Sequence, residues 1–387
     1  MIERLRDEAQ SLAEELIRWR RDFHRHPEIA CQEHRTSAVI RQFLESLALQ
    51  VRACAGTGLI GELQGMPGGK TIALRADMDA LPLKEEGDKD YASENPGACH
   101  ACGHDGHMAI LMGAASLLSR RSGEFPGKIV FLFQPAEEKL PGGARQMIAE
   151  GALQDVDAIF GLHLWQGFPT GTVACLRGAM MASTDEFAIT VAGKGGHGAM
   201  PQVAVDPILA TSQLVVNLQS IVSRNVDPLQ ASVVTVGKIE GGFAHNIIPS
   251  QASIYGTVRT FDREIQRLIE KRIEEIMEGT CRIFGAKGIL KYERGYPALV
   301  NNAAMSDLVL EVARRTLGAG CVQEAAPVMG GEDFAYYLQQ VPGAFLFFGM
   351  GDGTEFPHHH PAFDIDERAL PQATLLMSSL ALEYLKK

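Results

Sequence analysis

Nowhere in the 387 residues is there an apolar stretch of about 18, the length a helix needs to cross a bilayer, so no membrane span is expected. The opening, MIERLRDEAQSLAEELIRW, is charged and amphipathic and lacks the apolar core of a secretion signal. No block of lysine and arginine occurs and the net charge is -11, so the basic face of a nucleic-acid binder is missing. The seven cysteines are odd in number and scattered, without the spacing of a disulfide framework. With no export signal they read as reduced thiols, and a cytoplasmic location is expected. Low-complexity tracts and internal repeats are absent too, which excludes solenoids and arrays.

What remains is an ordinary globular composition, 46% hydrophobic and 21% charged. The length suggests two domains and suffices for a full core. Leu5, Ala9, Leu12, Leu16 and Trp19 share one helical face, predicting a helix over about 2–25 that stops near Pro27. A second helix is expected over 36–47. The runs TIALRADM (71–78), KIVFLFQ (128–134) and AIFGLHL (158–164) are continuous and apolar, and a helix is expected after the Gly/His-rich turn at 102. Unbroken strands alternating with helices predict a mostly parallel sheet covered on both faces, with its sites at the carboxyl ends of the strands.

From about Thr184 the pattern changes. EFAITVA (186–192), 231–239 and 252–260 alternate like half-buried strands, 207–218 and 262–283 read as helices, and 289–293 as a last strand. Strand, helix, two strands, helix, strand is a ferredoxin-like α/β sandwich. After Tyr296 the first pattern returns, with helices at 303–317 and 332–340, a strand GAFLFFG and a helix from Glu367. The expected fold is therefore an α/β, mostly parallel-sheet domain (1–183 and 294–387) with an inserted ferredoxin-like sandwich (184–293).

The densest chemical cluster is Cys102-Gly-His104-Asp-Gly-His107, whose thiol and imidazoles suit a borderline cation such as zinc. A helix start capped by Asp105 and His107 is the alternative. Glu137-Glu138 follows a strand; adjacent carboxylates can divide the work of ligand and general base, or form a solvated turn. His163 ends another strand, where it is either a ligand or a hydrogen-bonded core residue. His358-His359-His360 follows a glycine-rich loop. Each signal alone is weak; thiol, imidazoles and carboxylate together at strand ends read as a metal site. In the insert, His197 stands in a glycine-rich turn, and Arg259 ends a strand either as a solvated charge or as a clamp on a carboxylate. Gly330-Gly331-Glu332-Asp333 is an N-cap or a loop shaping a pocket.

These motifs, in order, resemble a known family. RRDFHRHPE (20–28), LRADMDALP (74–82), CHACGHDGHMA (99–109), FQPAEE (133–138), GLH (161–163), GKGGHGAMP (193–201), HNIIP (245–249), GTVRTF (256–261), GGEDFA (330–335) and HHP (359–361) are similar to the peptidase-like amidohydrolases that include hippurate hydrolase, bacterial N-acyl-amino-acid deacylases and plant auxin-conjugate hydrolases. The resemblance implies that Cys102, His104, Glu138, His163 and His359 hold two divalent cations, with Cys102 bridging. Zinc is favoured, and manganese, cobalt or nickel are alternatives. It implies that His359 rather than His360 is the ligand, because it stands two before the proline, and that Glu137 is the base. His197 would stabilise the oxyanion across a dimer interface, and Asn246, Arg259 and Gly331 would help hold the substrate. Asp79 matches a carboxylate that orients a metal ligand in related enzymes; Asp77 stands where related peptidases carry a histidine. The insert would be a lid and dimerisation domain of a homodimer or homotetramer.

The activity so implied is hydrolysis of the amide of N-acyl-L-amino acids, small-molecule substrates, with release of a carboxylic acid and a free amino acid. Three rivals remain: a metallocarboxypeptidase or dipeptidase using the same site, a cysteine hydrolase using Cys102, and a silent binding module.

Overall fold

Four apolar runs make the centre of the chain in this computed structural model, which describes residues 2–351 and 356–386. Met66–Asp77, Pro126–Gln134, Ala158–Trp165 and Gly343–Gly349 are strands. They lie side by side and parallel, in the order Pro126–Gln134, Met66–Asp77, Ala158–Trp165, Gly343–Gly349. Helices cover both faces, so no polar alternation is needed and the runs read as unbroken. Antiparallel strands Gln50–Cys54 and Gly58–Gln64 extend one edge and Val173–Ala174 the other. The short edge strands lack a distinctive apolar run and were not anticipated.

Helix His104–Ser119 is buried along its whole length except at Ser119. Helices Ala13–Arg25 and Ala369–Leu385 pack against it. The helix expected over 2–25 is two, Ile2–Ser11 and Ala13–Arg25. Ser11 Oγ donates to the Glu8 carbonyl at 2.7 Å, a back-bond that competes with the helical ladder just before the break. The helix expected over 332–340 shrinks to one turn, Ala335–Leu338. Asp333 cannot cap a longer one, because its carboxylate is taken by Arg75, Gln134 and the Ala144 N–H. The N-cap reading of that motif is thereby corrected. The glycine-rich stretch before His358 lies partly outside the described residues.

A separate core sits under a four-stranded antiparallel sheet in the order Ser232–Gly241, Gln251–Thr260, Asp185–Ala192, Lys287–Glu293. Alternation puts Phe187, Ile189, Val191, Ile254 and Val258 on the buried face. Helices Pro207–Leu218 and Arg263–Ile283 cover it, the second through Ile269, Ile273 and Met277. Both helices start at an aspartate, Asp206 and Asp262, that accepts two backbone N–H groups.

The chain divides into two compact units. One runs to Met180 and resumes over Val300–Ala326 and from Asp333 on; the other is Met181–Leu299 with Pro327–Glu332. The boundaries read from the sequence, 184 and 293, fall a few residues inside the second unit, and its small 327–332 segment carries no pattern of its own.

Candidate metal centre

At the carboxyl ends of the parallel strands, loops carry most of the polar residues. After Pro126–Gln134 the chain turns through Ala136, whose φ of 54° lies in the left-handed region, into Glu137 and Glu138. Three successive N–H groups of this loop are held by two buried carboxylates. Glu33 accepts from Ala136 N at 2.9 Å, and Asp79 accepts from Glu137 N and Glu138 N, both at 2.9 Å. With its backbone pinned this way the loop sends its glutamates in one direction. Glu33 also accepts from Thr57 Oγ1 at 2.6 Å, and burial raises its pKa.

The turn into helix His104–Ser119 needs Gly103, at φ 89°. One turn on, a Cβ at Gly106 would lie 2.5 Å from Leu164 Cδ1, so glycine here lets the helix press on strand Ala158–Trp165. That contact brings Cys102 and His163 together, with Sγ and Nε2 3.4 Å apart. His163 donates from Nδ1 to the Leu164 carbonyl at 2.7 Å, and His104 donates from Nδ1 to the Asp79 carbonyl at 2.9 Å. Each imidazole is thereby oriented by its Nδ1, and its Nε2 is the atom left to meet a cation, which would displace any proton there. His104 Nε2 is buried and without a hydrogen-bond partner. His359, at φ 66°, is tied by its N–H to the Ala101 carbonyl at 2.7 Å, and its Nε2 lies 3.2 Å from Glu138 Oε1.

Among the described residues, overlapping groups with ligand atoms within 4.8 Å of one another include Cys102 with His104 and His163, Cys102 with Glu138 and His359, His104 with Glu137 and Glu138, and Asp77 with His104 and His107. The five candidate ligands and the candidate base thus converge, and Cys102 is common to two groups. His359 is the histidine of the triplet that joins them. His360 stacks on Phe356 and its Nδ1 accepts from Ala362 N, while His358 donates to the Leu164 carbonyl. His107 is close by but has both ring nitrogens engaged: Nδ1 donates to Asp77 at 2.6 Å and Nε2 accepts from Leu164 N at 2.9 Å.

Electrostatics point the same way. Burial, reinforced by Glu138 and Glu137, pushes the Cys102 thiol well above its ordinary range, so it needs a cation to ionise. Burial opposes charge on His104, yet Asp77 and Asp79 outweigh it and lift the imidazole to about 10. Asp77 is buried as well, but the fields of His104, Arg75 and His107 hold it well below the carboxylate range. A buried thiol, imidazoles with a free nitrogen and clustered carboxylates fit a divalent cation, which would neutralise them together.

Sequence reading missed the supports. Arg75 is fully buried and joins Asp77, Gln134 and Asp333. Its only signal was a charge inside an apolar strand, as Glu33 was an unremarkable glutamate before a helix.

The remaining candidates belong to the second unit. His197 is exposed on the short strand Gly196–His197, opposite Ile247, and its Nδ1 accepts from Ala199 N at 3.0 Å, which leaves Nε2 as the protonated donor. Asn246 is exposed beside it and accepts from Gly198 N at 2.8 Å. Arg259 is half-buried and donates to the Val258 and Asp185 carbonyls and to Thr257 Oγ1. Among the described residues no carboxylate forms an ion pair with it, and it lines a cavity of about 580 Å³ with Tyr255, Thr257, Lys238 and Glu186. Gly331 packs on Thr184, where a Cβ would come within 2.0 Å of Cγ2. Its lack of a side chain therefore has a packing reason.

Known proteins resemble the chain over most of its length. The pattern of peptidase family M20/M25/M40 matches residues 73–383. N-acetyl-L-cysteine deacetylase of Bacillus subtilis is 44% identical over 368 residues, 95% of this chain and 87% of the relative. Thermostable carboxypeptidase 1 of Saccharolobus solfataricus is 36% identical over the full length of both. A crystal structure from Bacillus subtilis, described as a dinuclear metal binding peptidase of the M20 family, superposes with a TM-score of 0.86 at 37% identity, covering 97% of this chain and 99% of that one. A match over so much of the sequence and fold means that the chain belongs to peptidase family M20/M25/M40 and is a metal-dependent hydrolase.

Proposed function

We propose that the protein hydrolyses the amide bond of N-acyl-L-amino acids, using two divalent cations held by Cys102, His104, Glu138, His163 and His359. The carrying observation is the pinned pair at 137 and 138. Glu138 falls in two of the candidate groups, one with Cys102 and His359 and one with His104 and Glu137, which places it among more of the ligand atoms than its neighbour. In this reading Glu138 is the ligand and Glu137 moves the proton. The deacetylase relative supports the N-acyl class, and the dinuclear neighbour supports two ions. Thiolate and imidazole donors favour zinc, with manganese, cobalt and nickel as the other candidates.

Bound cations would polarise the amide carbonyl and acidify a water molecule. Glu137 would take a proton from the attacking water as its oxygen bonds to the acyl carbon, and would give that proton to the amide nitrogen as the C–N bond breaks, a role worth about 10²–10⁴ in rate. Asp79 keeps Glu137 and Glu138 aimed through their N–H groups, with Asp77 fixing His107 behind the site. His197, with its Nε2 proton, is assigned to the oxyanion, and Arg259, lacking a carboxylate partner of its own, to the substrate carboxylate, with Asn246 as a further contact. In this reading His197 serves a second copy of the chain. The solvent-facing Leu209 and Val216 of helix Pro207–Leu218 support a homodimer. No helix among the described residues is long and apolar enough to cross a membrane, in keeping with the proposed cytoplasmic setting.

The test is Glu137→Ala. It should bind two ions like the wild type and lose about 10²–10⁴ of kcat on N-acyl amino acids. Near wild-type turnover in the metal-loaded variant would remove Glu137 from the mechanism. The carboxypeptidase relative favours a second reading, cleavage of peptides at the same site. Side-by-side kcat/KM values on N-acetyl amino acids and dipeptides decide between them.

A further inference from the structure

The motif RRDFHRHPE takes no part in the chemistry above, yet its first arginine is among the largest fully buried side chains of the protein. Taking a guanidinium out of water costs several kcal/mol unless its donors are met. Arg20, on helix Ala13–Arg25, meets them on two separate segments. Nε donates to Asp105 at 2.8 Å; Nη2 donates to Asp364 at 2.6 Å and Nη1 to Glu367 at 3.2 Å. Asp105 directly follows His104, in the first turn of the helix that begins with that residue. Asp364 and Glu367 follow His359 in the loop that leads to helix Ala369–Leu385.

Both ends are reinforced. Asp105 also accepts from His24 Nδ1 at 2.7 Å and from Gly106 N at 2.9 Å. Asp364 accepts from Tyr91 at 2.6 Å, and the Tyr91 ring lies under Arg20, 4.9 Å from the guanidinium carbon. Glu367 is gripped a second time, by both arms of Arg21.

The loop around His359 is anchored on both sides: His358 donates to the Leu164 carbonyl at 3.0 Å, Glu86 N to the Pro361 carbonyl at 2.9 Å and Lys89 to the Phe363 carbonyl. The His359 side chain is 54% exposed, and its backbone is tied to the Cys102 segment at one point, the Ala101 carbonyl. The Arg20 clamp is what ties this loop, by way of Asp364 and Glu367, to Asp105 beside His104.

We infer that Arg20 is a positioning residue for the metal centre: it clamps the helix start bearing His104 to the loop bearing His359, and so sets the separation of the ligands. The inference rests on the metal reading of the site and adds a specific consequence. The cation on Cys102, Glu138 and His359 depends on Arg20, whereas the one on Cys102, His104 and His163 does not.

The experiment titrates metal-stripped wild type, Arg20→Lys, Asp364→Asn and His359→Ala with Co²⁺, following heat and the thiolate-to-cobalt absorption. Arg20→Lys keeps the charge but cannot form the three-way fork. It should bind one ion with wild-type affinity and the other about 10–100-fold more weakly, the usual cost of losing a group that orients a ligand. Its one-ion spectrum should match that of His359→Ala, and excess metal should restore kcat with KM unchanged. Asp364→Asn, at a side chain 30% exposed, removes the charge from the loop arm and leaves the Asp105 arm intact, and it weakens the same ion if Arg20→Lys fails to fold. Folded variants that take up both ions with wild-type affinity and lose only thermal stability overturn the inference while leaving the metal site intact. A wild type that binds no Co²⁺ overturns the metal reading and this inference together.

Discussion

Asp79 shows how much a single carboxylate can determine. It accepts the N–H groups of both Glu137 and Glu138, and its own carbonyl accepts from His104. Asp79→Asn keeps the shape but turns an amide N–H₂ toward a backbone donor. We expect kcat to fall about 10–100-fold with a small change in thermal midpoint, because the loss is one of aim; a kinetic and calorimetric comparison with wild type checks it. Glu85 carries a different consequence. Burial opposes its ionisation, but His24, the Ser93 N–H and Lys89 outweigh that and hold it down to about 2, against an ordinary 4.5. A carboxylate depressed on folding stabilises the native state above the unfolded value and stops doing so as pH falls towards the folded one. Wild-type stability should therefore decline between pH 4.5 and about 2, and Glu85→Gln should be less stable at neutral pH with a flatter profile across that window. His24, raised by Asp105 and Glu85 against burial and Arg20, contributes its slope above 6.5 and does not enter the acid window. Denaturant unfolding over pH 2–9 separates the two.

Helix His104–Ser119 is the element on which most of the candidate site depends. It starts with His104 and presses on strand Ala158–Trp165, which ends near His163. Gly106 permits that approach. In Gly106→Ala the new methyl meets Leu164 Cδ1 at 2.5 Å and Ile365 Cδ1 at 2.9 Å, so the helix must shift. Overpacking of this kind costs about 1–3 kcal/mol. A moved helix also moves His104 relative to His163, so weaker Co²⁺ binding should accompany the lower midpoint. Destabilisation with unchanged metal affinity would mean that the strand yields and the helix does not.

At the scale of the whole molecule, each of the two units has its own core, one around the seven-stranded sheet and one under the four-stranded sheet. All five candidate ligands fall in the first. A ligand that binds only the native state stabilises the unit that holds it. Chelation should therefore lower the unfolding transition of the first unit and leave the second in place. Ile273→Ala marks the second: Ile273 is fully buried there, and its truncation should cost about 2–5 kcal/mol in that transition alone. Scanning calorimetry with and without chelator, on wild type and Ile273→Ala, resolves the assignment.

Periodicity alone was enough to read the parallel strands, the alternating strands of the insert and the apolar helix after Gly103, because each buries a face whose repeat is written in local residue order. Resemblance across ten ordered motifs pointed to Cys102, His104, Glu138, His163, His359 and Glu137, since the residue types needed for metal chemistry are rare and distinctive. Other features were decided by partners far away in the chain. Asp333 looked like a helix cap, but Arg75 and Gln134 claim its carboxylate and the helix after it stays one turn long. Glu33, Asp79 and Arg20 act through hydrogen bonds to segments dozens to hundreds of positions distant. His359 and His360 differ only in which way folding turns them, one to Glu138 and the other onto Phe356. Local order specifies what a segment can become; a buried charge is satisfied only by what folding brings beside it, and that is decided in three dimensions.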